Sequence, residues 1–368
     1  WISVMTVKIS NNVPQVATPH INSTDGTNVT TQDLNCVDVL IDDDNDTMDV
    51  SVRWYKNGVL NLTIDYNNSY VNGTSFNAVL GSGNTSALDL WNCSLRLYDG
   101  RGYSNWGNST TLTVANTPPT HATPVLNSSS GTNGTLENLT VYNQSTSDVD
   151  SDSIKNIINW KENGTSLTLL HMPFEGGSNA TWTRDYSHTA NGSVSGATWS
   201  SSNGFDARGV YTFDGDDEID LGDAFDLDEV TVLLWINGDG FSGDNSFIGK
   251  SGSFAFKSSG DELRITWPGV IDQTSSGASL SADTWTHVAF SYDRTAGSDQ
   301  LKFYVDGVNF DNNTYSTAFT QNSNNVLIGN NQWNQYFEGE LDDILVFNRS
   351  LTSAQIYQIY LNRTDLML

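Results

Sequence analysis

The chain has 368 residues, 37% of them apolar, and sets 43 acidic against 16 basic side chains for a formal charge of −27. Binding a phosphate backbone needs clustered Lys and Arg, so this balance excludes nucleic acid as a partner and favours divalent cations, although a salt-adapted proteome would give the same sign. No apolar run approaches the roughly 20 residues of a membrane-crossing helix, and a composition rich in Asn, Ser, Thr, Gly and aromatics predicts an all-β chain.

Trp1 to Ser10 reads as a strand with one buried face, because Met5, Val7 and Ile9 alternate with Thr6, Lys8 and Ser10. Its continuation to Pro19 recurs without a gap at Trp106 to Pro124: Trp1/Trp106, Thr6/Thr111, Asn11/Asn116, Pro14/Pro119 and the two Ala-Thr-Pro triplets coincide. The second copy ends a domain, so the first is expected to be the last strand of a domain whose other strands lie elsewhere. On that reading Trp1, Met5, Val7 and Ile9 complete a domain of another copy, a head-to-tail β-addition that grows into a filament unless it closes into a ring. Two alternatives stand beside it: one period of a longer polypeptide, with the strand arriving covalently, or an N-terminal remnant with no fixed place. The chain has neither an initiator Met nor a secretion signal and reads as a processed or excised piece.

Two internal repeats follow. Pro14 to Leu34 recurs at Pro119 to Leu139, and Ile41 to Gly58 at Ser147 to Gly164, the second match one residue out of register with the first. The expected organisation is a donor strand and linker over 1–14, a sandwich over 15–118, an incomplete sandwich over 119–166 and 363–368, and a separate domain over 167–362 inserted into the latter. Cys36, Trp54 and Cys93 have the order and spacing of the buried tryptophan and inter-sheet disulfide of immunoglobulin-like sandwiches, and the first repeat resembles that family. The resemblance implies a Cys36–Cys93 bridge, with two unlinked buried thiols as the alternative. Val141 stands where the first repeat has Cys36, so the second must manage without a bridge.

Asp42, Asp44 and Asp46, and again Asp148, Asp150 and Asp152, place carboxylates at alternate positions ahead of a strand. Oxygen ligands at that density suit a hard cation such as calcium, while a solvated acidic turn is the plain alternative. Recurrence at the same place in both repeats favours metal. Neither run has the Gly and distal Glu of a helix-loop-helix calcium loop; both resemble runs in cadherin-like surface repeats, which implies calcium at domain junctions.

Nineteen Asn-x-Ser/Thr sequons point to an exported, glycosylated, extracellular or cell-surface chain. They are Asn22, Asn28, Asn45, Asn61, Asn67, Asn72, Asn84, Asn92, Asn108, Asn127, Asn133, Asn138, Asn143, Asn163, Asn179, Asn191, Asn312, Asn348 and Asn362, most of them before Ser195.

Beyond Leu167 tryptophan and phenylalanine rise. Tyr211 to Gly238, Asp283 to Arg294, Leu301 to Val308 and Phe337 to Tyr360 resemble, in order, the hallmark segments of the laminin-G-like, concanavalin-A-type jelly roll. Asp306-Gly307 predicts a tight hairpin, and Ser350 to Tyr360 a short helix. In that family a structural ion often joins the first strand to the last, which implies a calcium role for Glu175 and Asp342. Trp182, Trp267 and Trp333 are candidate sugar-binding aromatics, with core packing as the alternative. Glu218 and Asp220 superficially match the acidic strand of glycoside hydrolases. The third carboxylate of that run, Asp223, falls out of alternation after Gly222, and His287 reads as a packed strand residue, so no enzyme is expected.

The sequence therefore predicts immunoglobulin-like sandwiches plus a concanavalin-A-like jelly roll, with calcium as a structural ion and other copies of the chain as partners. The function expected is a head-to-tail structural filament protein. The alternative is an adhesin that recognises extracellular glycans.

Overall fold

The computed structural model describes residues 10–187, 190–361 and the backbone of 366–367. Trp1, Met5, Val7, Ile9 and Asn362 lie outside the described residues. Two compact units emerge, one of 1–124 with 143–155 and one of 125–142 with 156–368.

The first unit contains an immunoglobulin-like β-sandwich. Strands β1 (His20–Ser23), β2 (Leu34–Val39) and β5 (Ser75–Leu80) form one sheet. The other has the order β4-β3-β6-β7, from β3 (Met48–Lys56), β4 (Val59–Tyr70), β6 (Leu90–Tyr98) and β7 (Gly107–Asn108), with β8 (Leu112–Thr113) also on β6. Alternation along β3 buries Met48, Val50, Val52 and Trp54. Trp54 meets Trp91 edge to face with ring centroids 6.5 Å apart. Beside them Cys36 of β2 and Cys93 of β6 form the disulfide that ties sheet to sheet. Asn57 and Gly58 both take positive φ, 52° and 78°, making the two-residue turn that joins β3 to β4. Gly107 is required by close approach, since a Cβ there would lie 1.7 Å from the Ala17 carbonyl oxygen.

Over the described residues the second repeat forms a hairpin and a short ribbon. Its hairpin, β9 (Thr120–Ser128) and β10 (Leu139–Ser147), corresponds to β1 and β2. A short ribbon, β11 (Lys161–Glu162) and β12 (Thr165–Ser166), turns through Asn163-Gly164 with φ of 51° and 86°, as Asn57-Gly58 does. The counterparts of the buried Ile21 and Leu34 on the hairpin are Leu126 and Leu139, and both are exposed.

The second unit is dominated by two packed sheets. One has the order β16-β17-β28-β19-β24-β25-β26, with β13 on β28; the other runs β14-β15-β18-β27-β20-β21-β22-β23. In chain order the strands are β13 (Thr168–Met172), β14 (Trp182–Thr183), β15 (Gly192–Ser195), β16 (Thr198–Ser200), β17 (Val210–Asp214), β18 (Glu218–Asp220), β19 (Val230–Gly238) and β20 (Asp244–Lys250). They continue as β21 (Phe254–Ser259), β22 (Glu262–Trp267), β23 (Ile271–Thr274), β24 (Thr286–Tyr292), β25 (Leu301–Val305), β26 (Val308–Asn313), β27 (Val326–Ile328) and β28 (Glu338–Phe347). The inner faces meet through an aromatic core that includes Phe213, Phe247, Phe256, Trp267, Phe290 and Phe337. Asp306-Gly307 makes the turn between β25 and β26, as its sequence predicts.

Helix α1 (Ser353–Tyr360) starts three residues later than expected because Thr352 is its N-cap, in a capping box with Gln355. Ile356 packs with Leu233, Tyr304 and Leu345 on the other side of the β19-containing sheet. The chain then returns to the second repeat: β29 (Leu366–Met367) pairs antiparallel with β10 through Leu139/Met367 and Thr140/Leu366. The jelly roll is thus looped out between strands of one sheet. No helix among the described residues is long and apolar enough to cross a membrane.

Candidate functional site

A polar platform lies on the β20-β21-β22 sheet. Alternation sends Phe254, Phe256, Leu263 and Ile265 into the core, so Lys257 and Arg264, directly paired across β21 and β22, share the opposite face. Two cations at facing positions repel. Asp244 offsets this, its Oδ2 2.8 Å from Lys257 Nζ and 3.3 Å from Arg264 Nη1. Burial alone would raise the Asp244 pKa, but the Lys257 hydrogen bond and the two positive charges hold it below its ordinary value. Gln335 completes the network, accepting from Lys257 at 2.8 Å and Asn331 at 2.9 Å and donating to Asp244 at 2.9 Å.

Trp333 stands beside this network, its backbone N–H donating to Asn331 Oδ1 at 2.9 Å and its ring centroid 5.2 Å from Lys257 Nζ. The side chain is 44% exposed, a pinned aromatic surface ringed by polar groups. Trp182 is also partly exposed. Trp267 is not a surface aromatic as the sequence allowed: it is buried in the core against Tyr292 and Phe319, because the alternation of β22 points it inward.

Ile219 enters the core, so Glu218 and Asp220 share the other face of β18. Glu218 accepts from Asn330 Nδ2, and Asp220 accepts from Asn325 Nδ2 and the Gly222 N–H, each at 2.8 Å. His287 is buried between Trp235 and Tyr360, and burial drives its pKa down to about 3. The ring is neutral, with no hydrogen-bond partner on either nitrogen.

The acidic runs form the same turn twice. Asp42 Oδ1 accepts the N–H groups of Asp44 and Asp46 at 2.9 and 3.1 Å, and Asp148 Oδ1 those of Asp150 and Asp152 at 2.8 and 3.2 Å. The linker ahead of each repeat clamps its middle carboxylate: Asn12 N–H donates to Asp44 Oδ2 at 2.6 Å, Thr117 N–H to Asp150 Oδ2 at 2.8 Å. One carboxylate oxygen from each of Asp148, Asp150 and Asp152 lies within 4.8 Å of the other two. Asp46 instead pairs with Arg101 at 2.7 Å.

Pairing of Met172 with Ile344 brings the segments carrying Glu175 and Asp342 side by side at the meeting of first and last strands. Asp342 is fully buried and accepts from the Phe205 N–H at 3.0 Å.

Sequence reasoning passed over Asp214, Asp216 and Asp217, whose oxygens also gather within 4.8 Å at the turn from β17 to β18. The signal was the Asp-Gly-Asp-Asp run itself. A hydrogen bond and like charge from Asp214 raise the Asp216 pKa; burial, then Asp214, raises that of Asp217. Of the sequon asparagines, Asn28, Asn72 and Asn92 are half-buried, and the others among the described residues are exposed.

Two packed antiparallel sheets with a helix after the last long strand define a laminin-G-like, concanavalin-A-type jelly roll. Residues 213–357 match the family described as the concanavalin A-like lectin/glucanases superfamily. Among solved structures, domain 4 of AbnA, an extracellular arabinanase from Geobacillus stearothermophilus solved with arabinotriose, is similar at 17% identity and a TM-score of 0.44, over 52% of this chain and 98% of that one. The binding domain of Paraclostridial Mosquitocidal Protein 1 is similar at 13% identity and a TM-score of 0.42, over 52% of this chain and 51% of its own. The receptor binding domain of botulinum neurotoxin type G is similar at 13% identity and 0.41, over 53% and 51%. The chain thus spans about half the length of the two toxin domains. No curated protein matches it.

Proposed function

We propose that this chain is an exported structural module that assembles head to tail with other copies of itself, carrying the jelly roll on a framework of immunoglobulin-like repeats. One observation carries the reading: Leu126 and Leu139 are 58% and 37% exposed where their counterparts Ile21 and Leu34 are 4% and 0%. A hairpin with the sequence of a sandwich wall displays its core face. Burying such side chains contributes roughly 1.5–3 kcal/mol each, so the face favours a second sheet.

Trp1 to Ser10 of a neighbouring copy is the strand proposed to dock there. Its Val7 and Ile9 hold the places of Leu112 and Val114, which are buried as the last strand of the intact sandwich. Backbone pairing would add to the side-chain burial, as in other β-additions. The Cys36–Cys93 disulfide and the sequons agree with an oxidising, extracellular setting. Sedimentation of the full chain over a concentration series tests the proposal. Assembly that disappears on deleting residues 1–10 supports it; a full chain that stays monomeric at high concentration refutes it.

A second reading rests on Trp333. A half-exposed tryptophan held by a polar network offers a stacking surface for a sugar ring with hydrogen-bonding groups around it. The jelly roll is then the glycan-recognising element, with the immunoglobulin-like repeats as its spacer.

A further inference from the structure

We infer that the two linker-clamped acidic loops are divalent-cation sites of unequal strength, the second binding calcium more tightly because Arg101 competes for the first. Asp42 is 1% exposed. Its Oδ1 is used by the Asp44 and Asp46 N–H groups, while its enclosed Oδ2 has no hydrogen-bond partner. A buried carboxylate oxygen left bare is costly, and a cation bound by the loop satisfies it. Asp148 repeats the feature: its Oδ2 is likewise enclosed and without a partner, while Oδ1 takes the equivalent N–H groups.

The surroundings differ. In the first loop Arg101 Nη1 lies 2.7 Å from Asp46 Oδ2 and donates to Asn11 Oδ1 at 2.9 Å, so a positive charge already sits at the rim. In the second loop the neighbours of the carboxylates are neutral donors. Thr30 Oγ1 and Thr117 N–H donate to Asp150, and the Asn116 amide, with its nitrogen turned to the loop, reaches Asp150 and Asp152 at 3.1 and 2.8 Å. Among the described residues no basic side chain pairs with these three carboxylates, which makes theirs the stronger hard-cation site. Because Asn116 and Thr117 belong to the linker and Thr30 to the first sandwich, a cation there also locks the linker to both.

The test is calorimetric titration of calcium chloride into the full chain after removal of divalent ions with EDTA. Two binding events are expected, with Asp148→Asn abolishing the tighter and Asp42→Asn the weaker. Asparagine keeps the Oδ1 acceptor that shapes each turn, and in EDTA the Asp42→Asn protein should melt no lower than the parent. Asp46→Asn and Asp152→Asn, at the loop rims, give the same readout with less risk to folding. Arg101→Gln should tighten the weaker event roughly five- to tenfold by removing the adjacent charge. No heat at millimolar calcium, or isotherms unchanged by the Asp42 and Asp148 variants, overturns the sites; an Arg101→Gln protein with the parent's affinity ratio overturns their inequality.

Discussion

Ile21 and Leu126 hold the same place in two copies of one hairpin, yet Ile21 is sealed in a sandwich core and Leu126 stands in the open. The difference lies in what faces them. Ile21 belongs to a core completed by Trp54, Trp91 and Leu95 of the opposite sheet, whereas the chain after the second hairpin is diverted into the jelly roll.

If that face is an assembly surface, Leu126→Asp combined with Leu139→Asp should abolish self-association at concentrations where the parent assembles. Thermal stability should change by less than about 0.5 kcal/mol, since exposed side chains contribute little to the isolated fold. Sedimentation and melting on the same samples check both halves. A double variant that assembles as the parent does rules this face out.

The Cys36–Cys93 bridge spans a sequence separation of 57 and joins the two sheets of the first sandwich. Replacing both cysteines with alanine should cost that sandwich about 4 kcal/mol through the freed unfolded chain. Calorimetry should show one transition lowered and the jelly-roll transition unmoved.

Burial holds the His287 pKa down at about 3, against an ordinary 6.5. The folded protein keeps the ring neutral while the unfolded chain takes up a proton below pH 6.5. Its contribution is therefore intact above pH 6.5 and is lost as pH falls towards 3, at about 1.4 kcal/mol per pH unit. Urea unfolding should show His287→Phe lacking about 2 kcal/mol of the parent's loss between pH 7 and pH 5. Equal slopes in the two proteins would show that His287 does not drive the loss.

Asp216 has the opposite sign. Its raised pKa, caused by Asp214, makes the folded carboxyl hold its proton longer than the unfolded one. Stability from this group is present at low pH and lost as pH rises through that raised value, above the ordinary 3.8. Asp216→Asn should slightly raise the melting temperature at pH 7 and leave it unchanged at pH 3. A drop at pH 7 would argue that the cluster is held by something other than repulsion.

For the glycan reading, Trp333→Ala should weaken binding of any sugar found by array screening about tenfold, the loss of one aromatic stacking contact. Lys257 and Asp244 stay paired in that variant, so the melting temperature should hold. Unchanged sugar affinity would place recognition elsewhere on the jelly roll.

Local pattern alone determined much of this protein. The Asp306-Gly307 dipeptide marked its turn, and the order and spacing of Cys36, Trp54 and Cys93 announced a sandwich, because each depends on neighbours a few residues away or on one recurring spacing. The tertiary structure alone decided that Trp267 is core and Trp333 surface, that Arg101 reaches Asp46 across 55 residues, and that Leu139 is left uncovered. Those outcomes depend on which distant strand arrives opposite a side chain, and burial and charge pairing are set by that meeting rather than by the residue's own type.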